Sequence, residues 1–188
     1  VTVDMYGDGL FEVAVEGELA EAYIENSGAI NAAGGTVKMT ANAAKEVADN
    51  LINLDGVVDV SSVDAKGGKI VLSGGEHGTV KVSGTLDASG KDGGEIEIDA
   101  ANTLTTAESE IKTDGDDKAG TVILWGRKNA LYAGSISALG ADGFVETSGG
   151  KLGVWGDVTL SEGGEWLLDP TDIQIVNGSG NTALLGDL

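Results

Sequence analysis

The sequence predicts an all-β fold in which short strands stack into a parallel β-helix, and three observations support this. Glycine pairs, or a single glycine after Ala or Asp, recur at near-regular intervals, an alternating segment follows each, and a second alternating segment precedes several. The steps between these glycines fall from 33 to 21 residues along the chain. A period in the twenties with this content is typical of a solenoid. The glycines are Gly35, Gly68, Gly94, Gly120, Gly143 and Gly164.

The segment after each glycine alternates between apolar and polar residues. Lys69-Ile70-Val71-Leu72 and Glu95-Ile96-Glu97-Ile98 show the pattern. Alternate side chains of an extended strand point to opposite faces, so Ile96 and Ile98 share one face and the two glutamates share the other. Each such segment is therefore predicted to be a strand with one buried face.

The segment before several of the glycines has a second recurring form, small–apolar–polar–Ala or Ser–polar. Examples are Gly84-Thr85-Leu86-Asp87-Ala88-Ser89 and Gly134-Ser135-Ile136-Ser137-Ala138-Leu139. Each unit is then two or three short strands joined by tight corners, at which glycine permits positive φ. One unit cannot bury its apolar face alone, but stacked copies, ~4.8 Å apart, share a continuous core. With roughly 20–25 residues per coil, the 188 residues predict about eight coils and a rod on the order of 40 Å long.

An antiparallel sandwich or barrel with glycine turns is the alternative fold. Its strands would also alternate. The repeated order of strand, glycine pair and strand favours the solenoid, as does the scarcity of Asn-Gly or Asp-Gly turns set symmetrically between strands.

One stretch, at about 41–52, predicts a short α-helix inserted between two coils. It lacks glycine and is rich in helix formers. Val47 and Leu51, and likewise Ala44 and Ala48, are spaced i, i+4 on one face. Such an insertion accounts for the long 33-residue step. We expect residues 1–176 to form a single β-helix segment and 177–188 to be a loose tail or linker to a following region. Because the chain opens on a strand-like segment at Val1 and no signal peptide is visible, we expect it to be a piece of a larger protein.

The composition is strongly acidic, with 31 Asp and Glu against 11 Lys and Arg and a formal charge of −20. Such a polyanion is repelled by nucleic acid and by anionic membrane surfaces, so neither is expected as a partner. No apolar run approaches the ~20 residues that span a bilayer, so membrane insertion is not expected. Charges at outward strand positions would keep a repetitive β-protein soluble and discourage lateral association.

Motifs that indicate catalysis are not found in the sequence. It has no phosphate-binding Gly-x-x-x-x-Gly-Lys-Ser/Thr loop, no Gly-x-Ser-x-Gly elbow and no His-Glu-x-x-His. His77, the one histidine, and Arg127, the one arginine, are both predicted in turns, and no partner for His77 is evident. Polysaccharide-cleaving β-helices need clustered carboxylates, or a basic residue with Ca²⁺. We therefore expect no enzymatic activity, no catalytic residues and no cofactor.

A calcium site is a separate question, raised by the oxygen-rich turn that contains Asp114, Asp116 and Asp117. Carboxylate oxygens are the ligands that Ca²⁺ prefers, but the turn lacks the EF-hand loop and the nonapeptide of calcium-binding β-rolls. A solvated acidic turn explains it as well, and weak Ca²⁺ binding stays open. No metal site is assigned.

The three tryptophans, Trp125, Trp155 and Trp166, lie in or after alternating strands. Aromatic residues at equivalent places of successive coils usually stack inside a solenoid or along its face, which is the interpretation we favour. An exposed set could instead bind sugar rings.

Several segments, taken together, carry a family resemblance. A strand with a Gly-Asp-Gly-Leu turn lies at 3–15, coil segments at 26–41, the helical stretch with Asn-Leu-Asp-Gly-Val-Val after it at 43–58, and two closing phrases at 143–149 and 167–173. These segments resemble the filamentous-haemagglutinin-like exoproteins of the two-partner secretion pathway, and the likeness covers nearly the whole chain. The amino-terminal part of that family's secretion domain, which addresses the pore, is missing, so no residue here is assigned to pore recognition.

The resemblance implies a right-handed β-helix, export through an outer-membrane partner pore, and a secreted or bacterial cell-surface adhesin. It implies that this segment is a stiff stalk for attachment or biofilm formation, with a host receptor or an exopolysaccharide as a possible partner. The absence of cysteine suits passage through the periplasm as an unfolded chain. Two alternatives stay open: a carbohydrate- or receptor-binding module on the β-helix surface, and a polysaccharide-degrading β-helix enzyme.

Overall fold

A computed structural model describes residues 2–3, 10–15, 23–41, 51–172, 174–176 and 182–184. All elements in these ranges are β-strands, and no helix occurs among them. The strands are β1 (Thr2–Val3), β2 (Leu10–Val15), β3 (Tyr23–Asn26), β4 (Ala29–Asn31), β5 (Thr36–Ala41), β6 (Leu51–Leu54), β7 (Val57–Asp59), β8 (Ser62–Lys66), β9 (Lys69–Val82), β10 (Thr85–Asp87), β11 (Gly90–Asp92), β12 (Glu95–Thr105), β13 (Glu110–Lys112), β14 (Gly115–Lys118), β15 (Thr121–Tyr132), β16 (Ser135–Ala138), β17 (Phe144–Val154), β18 (Asp157–Leu160), β19 (Glu165–Asp172), β20 (Gln174–Val176) and β21 (Thr182–Leu184).

The strands form a solenoid of parallel sheets, as the sequence predicts. The largest sheet has the order β1-β2-β5-β9-β12-β15-β17-β19, with β3 and β6 joined to it beside β9. A second sheet has the order β18-β16-β13-β10-β7-β4, and a third the order β14-β11-β8. Each strand pairs with its equivalent one coil away, and every ladder from β2 to β19 is parallel. The antiparallel sandwich or barrel is therefore excluded.

The second sheet gives the number of coils, because each coil contributes one strand to it. Its six strands correspond to five steps from coil to coil. At ~4.8 Å a step, these strands extend over roughly 25 Å. The prediction of about eight coils and a longer rod is not confirmed in the described part of the chain. Long strands such as β9 and β12 explain part of the difference, since each turns a corner and covers two faces of its coil.

Columns of equivalent inward side chains fill the core. The first inward position of the largest sheet holds Phe11, Val37, Ile70, Ile96, Val122, Val145 and Trp166, in register from coil to coil. The second sheet contributes Val58, Leu86, Ile111 and Ile136 in the same way, all buried. In β12, Ile96 and Ile98 are buried, while Glu95 and Glu97 on the outward face are half-exposed. The two faces predicted for this strand are therefore confirmed.

The recurring glycines are required because coils approach each other closely at the corners. A Cβ on Gly94 would lie 2.1 Å from the carbonyl oxygen of Gly68, and one on Gly120 would lie 2.1 Å from that of Gly94. No side chain fits at such a distance. The doublets seen in the sequence therefore form a stacked column, in which the backbone of one coil occupies the place of the side chain that the next coil lacks.

Polar ladders follow the outside of the stack. Lys69 Nζ lies 2.7 Å from Glu95 Oε1 and 3.3 Å from Glu97 Oε2, which joins two neighbouring coils. Asn129 Nδ2 donates to Asn102 Oδ1 at 2.7 Å, and Asn102 Nδ2 donates to Thr79 Oγ1 at 3.3 Å. These bonds run along the solenoid axis and use outward positions that cannot enter the core.

The predicted helix at 41–52 is not confirmed. Ala41 ends β5, and Leu51 and Ile52 belong to β6, so both ends of the predicted range are strand, while residues 42–50 lie outside the described residues. Some of the extra residues in the 33-residue step lie in β8. Ser62 pairs with Gly90 and Lys66 with Asp92, so the three residues between Ser62 and Lys66 oppose a single residue of β11. Val63 in this bulge is 90% exposed.

Near the carboxyl-terminal end, β20 pairs with β21 as an antiparallel two-stranded sheet. Of the predicted loose tail, 177–188, the structure describes 182–184, and these are strand residues. The domain boundary after residue 176 stays a prediction. A second antiparallel pair, β1 with β2, lies at the amino-terminal end.

Candidate functional site

One outward column of the largest sheet holds hydroxyl, carboxylate and aromatic side chains on successive coils. Its members are in register and come from successive coils: Ser73, Asp99, Trp125, Ser148 and Asp169. Trp125 thus has a carboxylate one coil before it and a serine one coil after it. Its indole is 48% exposed, which is unusual for the largest apolar side chain.

A groove of about 420 Å³ lies beside Trp125, at the corner of the last coils in this sheet. It crosses β15, β17 and β19, so three successive coils build it. Gly149 and Gly150, which carry no side chains, leave it open at the corner. The lining residues are Trp125, Arg127, Glu146, Ser148, Gly149, Gly150, Asp169, Pro170 and Thr171.

Arg127 enters the groove from a bulge. Gly126 pairs with Gly149 and Asn129 with Lys151, so Arg127 and Lys128 oppose the single residue Gly150. A bulge of this kind redirects a side chain. The guanidinium of Arg127 then makes three contacts: Nη2 lies 2.6 Å from Asp99 Oδ2, Nη1 donates to the carbonyl oxygen of Gly75 at 3.2 Å, and Cζ lies 5.7 Å from the centroid of the Trp125 ring.

Two carboxylates line the groove, those of Glu146 and Asp169. Among the described residues, neither Glu146 nor Asp169 has a Lys or Arg nitrogen within ion-pair distance. Glu146 Oε1 accepts a hydrogen bond from the Ser148 hydroxyl at 2.6 Å. Since Asp99 neutralises the charge of Arg127, the groove is negative overall and has an aromatic wall.

A second exposed aromatic surface surrounds Trp155, which is 74% exposed. A Cβ on Gly153 would lie 2.5 Å from two atoms of the Trp155 ring and 3.0 Å from Leu131 Cδ2. The indole therefore lies against the backbone at Gly153, next to Leu131. We call Leu131, Gly153 and Trp155 the Trp155 patch. It lacks the charged side chains found beside Trp125.

The tryptophans do not stack at equivalent positions, so that interpretation is wrong for two of them. Trp166 alone points inward, where its ring meets Tyr132 edge to face at a centroid distance of 6.5 Å and its Nε1 donates to Thr147 Oγ1 at 3.1 Å. Trp125 has Asp99 and Ser148 as register partners, and Trp155 lies at a corner. The alternation of each segment does not show whether a tryptophan points into the core or toward solvent, because Trp is tolerated on either face of the strand.

The acidic turn considered for Ca²⁺ lies in and just before β14. Both oxygens of Asp114 are engaged, since Oδ1 accepts from the Leu139 N–H at 2.8 Å and Oδ2 accepts from the Ser137 hydroxyl at 2.9 Å. Asp117 Oδ2 lies 3.8 Å from Lys91 Nζ. Within the ranges that the structure describes, no three His, Asp or Glu residues are grouped to hold a metal ion. Asp114 thus joins two coils, while Asp116 and Asp117 are exposed.

His77 lies at a corner inside β9 rather than between two strands. Gly75 pairs with Ala100 and Thr79 with Asn102, so residues 76–78 oppose the single residue Ala101. His77 is half-buried there, and no hydrogen bond to Nδ1 is found among the described residues. The corner is the longest of its column from β9 to β17.

Sequence reasoning named Trp125 and Arg127 but missed Glu146 and Asp169. The signal was present. Asp99, Trp125, Ser148 and Asp169 each lie five residues after the last glycine of their repeat, at Gly94, Gly120, Gly143 and Gly164. Alignment of the coils on these glycines, with outward positions compared column by column, brings the groove residues together.

In the described ranges, no helix is long and apolar enough to span a bilayer. No family model, curated protein or solved structure matches this chain. Its class therefore follows from its own structure: it is a β-solenoid repeat protein with a negatively charged, aromatic groove on one corner.

Proposed function

We propose that this chain is a structural segment of a large secreted or cell-surface bacterial adhesin, in which it forms a stiff β-helical stalk for attachment or biofilm formation. The observation that carries the proposal is the unbroken parallel ladder from β2 to β19, with a shared core. In such a stack each coil contacts only its neighbours, so stiffness is spread over the repeat rather than assigned to single residues.

The resemblance to filamentous-haemagglutinin-like exoproteins supports the secreted location and the outer-membrane pore as export partner. The lack of cysteine is consistent with this route, since no disulfide can form in the periplasm and obstruct transit. The formal charge of −20 is consistent with a soluble surface that repels anionic lipids and nucleic acid. The stalk proposal assigns the chain no catalytic role.

Hydrogen–deuterium exchange followed by mass spectrometry tests the stalk. We expect the interior strands β9, β12, β15 and β17 to exchange slowly and together, because every one of them is hydrogen-bonded on both sides. The same chain in denaturant supplies the reference rate. An interior coil that exchanges at the reference rate would show that the stack is not continuous and would exclude the role of a stiff stalk.

A second candidate function, carbohydrate binding, is favoured by the Trp125 groove. Sugar sites combine an aromatic face with a few polar groups that fix orientation. The groove offers the indole, two carboxylates and the exposed Thr171 hydroxyl along three coils. A stalk with such a groove would hold a polysaccharide along its flank.

A further inference from the structure

We propose that the Trp125 groove binds glucosamine units of a partly deacetylated polysaccharide, with the sugar ring on Trp125 and the ammonium group near the carboxylates of Glu146 and Asp169. This inference rests on the carbohydrate-binding function and names its ligand class. A neutral ring is bound through the indole, and the charge of the amine decides which sugar is preferred.

The contacts of Trp125 show that its ring accepts a cation. The guanidinium of Arg127 already lies 5.7 Å from the ring centroid. A positive charge is attracted by the negative face of an indole, more strongly so when it is partly removed from water. Trp125 is about half exposed, so enough of the ring is left for a ligand.

The charges of the groove select against the common acidic polysaccharides. Asp99 Oδ2 lies 2.6 Å from Arg127 Nη2, so a carboxylate already offsets the positive charge that a sulfate or a uronate would need. Glu146 and Asp169 remain, and in the described part of the chain neither is ion-paired. An anionic sugar would meet like charges, whereas an ammonium group would meet two carboxylates and gain charge-assisted hydrogen bonds.

The shape of the groove favours a sugar chain over a basic peptide. Trp125, Ser148 and Asp169 come from three successive coils, so the groove is elongated along the solenoid axis and open to solvent. The hydroxyl group of the exposed Thr171 matches the many hydroxyl groups of a saccharide. A lysine peptide would supply the charge but no flat ring for the indole.

Isothermal titration calorimetry with soluble oligosaccharides at mildly acidic pH tests the proposal. The probes are oligomers of glucosamine, of N-acetylglucosamine and of galacturonic acid, with oligolysine as the peptide probe. We expect the glucosamine oligomer to bind about tenfold more tightly than its acetylated form, and the uronate and the peptide to bind weakly or not at all.

Variants separate the binding of the sugar ring by Trp125 from the charge preference set by Glu146 and Asp169. Trp125→Ala is expected to abolish binding of both neutral and amino sugars, while Trp155→Ala is the matched control on the other exposed aromatic and should bind like wild type. Glu146→Gln combined with Asp169→Asn should keep binding of the acetylated oligomer and remove the preference for glucosamine. Circular dichroism of each variant checks that the fold is retained.

Failure of the carbohydrate-binding function can be distinguished from failure of the glucosamine assignment. If no sugar binds, both the carbohydrate-binding function and this inference are wrong. If the acetylated and free oligomers bind equally, or if the double variant keeps the preference, only the glucosamine assignment is overturned. Binding of oligolysine at equal strength would assign the groove to a basic peptide, and binding lost in Trp155→Ala but kept in Trp125→Ala would place the site at the Trp155 patch.

Discussion

A second column of glycines shows at single residues how tightly the coils are set. It contains Gly28, Gly56 and Gly84, one from each of three successive coils, each just before a strand of the second sheet. A Cβ on Gly84 would lie 1.9 Å from the carbonyl oxygen of Gly56, but a Cβ on Gly28 would have no described atom within 4 Å. Close approach of the backbone thus requires glycine at position 84, but no described contact requires it at position 28.

This difference gives a matched pair of substitutions. Gly84→Ala forces backbone of two coils apart, and overpacking of this kind costs about 1–3 kcal/mol or more of the free energy of unfolding. In Gly28→Ala the added Cβ meets no described atom, so stability is expected to change by less than about 0.5 kcal/mol. Urea unfolding followed by circular dichroism measures both. Equal midpoints for the two variants would contradict the stacked column.

Tyr132 gives a prediction for pH. Its side chain is 2% exposed, and its hydroxyl donates to the carbonyl oxygen of Asp157. Burial disfavours the phenolate and raises the pKa of Tyr132 to about 12. The folded-state pKa thus lies above the unfolded value of about 10, so the contribution is complete below pH ~10 and is lost as pH rises toward ~12.

The size of this effect is on the order of 3 kcal/mol, at about 1.4 kcal/mol per pKa unit over two units. Tyr132→Phe removes the titrating group, so its unfolding free energy should fall less than that of wild type between about pH 10 and pH 12. Urea midpoints of both proteins across that window measure the difference. Lysines and the other tyrosines titrate in both proteins, so their contributions cancel in this comparison. Parallel pH curves would show that Tyr132 is not buried as described.

At the scale of the element, the second half of β12 places threonines in the core. Thr103 and Thr105 are 1% and 6% exposed and occupy positions held by Val80 and Val82 one coil before. Thr105 Oγ1 donates to the Ala133 carbonyl oxygen at 2.6 Å and accepts from the Ala133 N–H at 2.9 Å. The hydroxyl thereby replaces a ladder bond where the chain turns its corner.

Two isosteric substitutions test whether these hydroxyls differ. Thr105→Val leaves the Ala133 N–H without its acceptor, which costs about 1–3 kcal/mol. Thr113 Oγ1 is buried with no hydrogen-bond partner in the described part of the chain, so Thr113→Val should be neutral or stabilising by up to about 1 kcal/mol. Thermal unfolding of the two variants compares them directly. A larger loss for Thr113→Val would mean that its hydroxyl has a partner.

The same strand contains side chains whose direction could not be predicted from the sequence. In Asn102-Thr103-Leu104-Thr105, alternation alone would place Leu104 inside, but Leu104 is half-exposed and both threonines point inward. The register follows the preceding coil, since Thr103 pairs with Val80 and Thr105 with Val82, and a shift by one residue would reverse the faces of the strand. Strands such as 95–98, where both signals agree, could be predicted from the sequence.

At the scale of the molecule, the parallel stack and its period could be predicted because the close approach of coils leaves a visible trace, the glycine doublets. The number of coils could not, since one coil uses between 21 and 33 residues and bulges such as that of β8 absorb the difference. Arg127 could be found as the one arginine, but its contact with Asp99 depends on the length of a corner that alternation does not encode.

The outward column that contains Trp125 has a consequence for how such a protein can diversify. Each coil offers one side chain there, anchored by backbone bonds that are indifferent to its identity, while the opposite side of the same strand is committed to packing. Substitutions on this flank can therefore accumulate with little cost to folding. Successive coils can acquire new chemistry one position at a time, and ligand preference can drift while the scaffold stays constant.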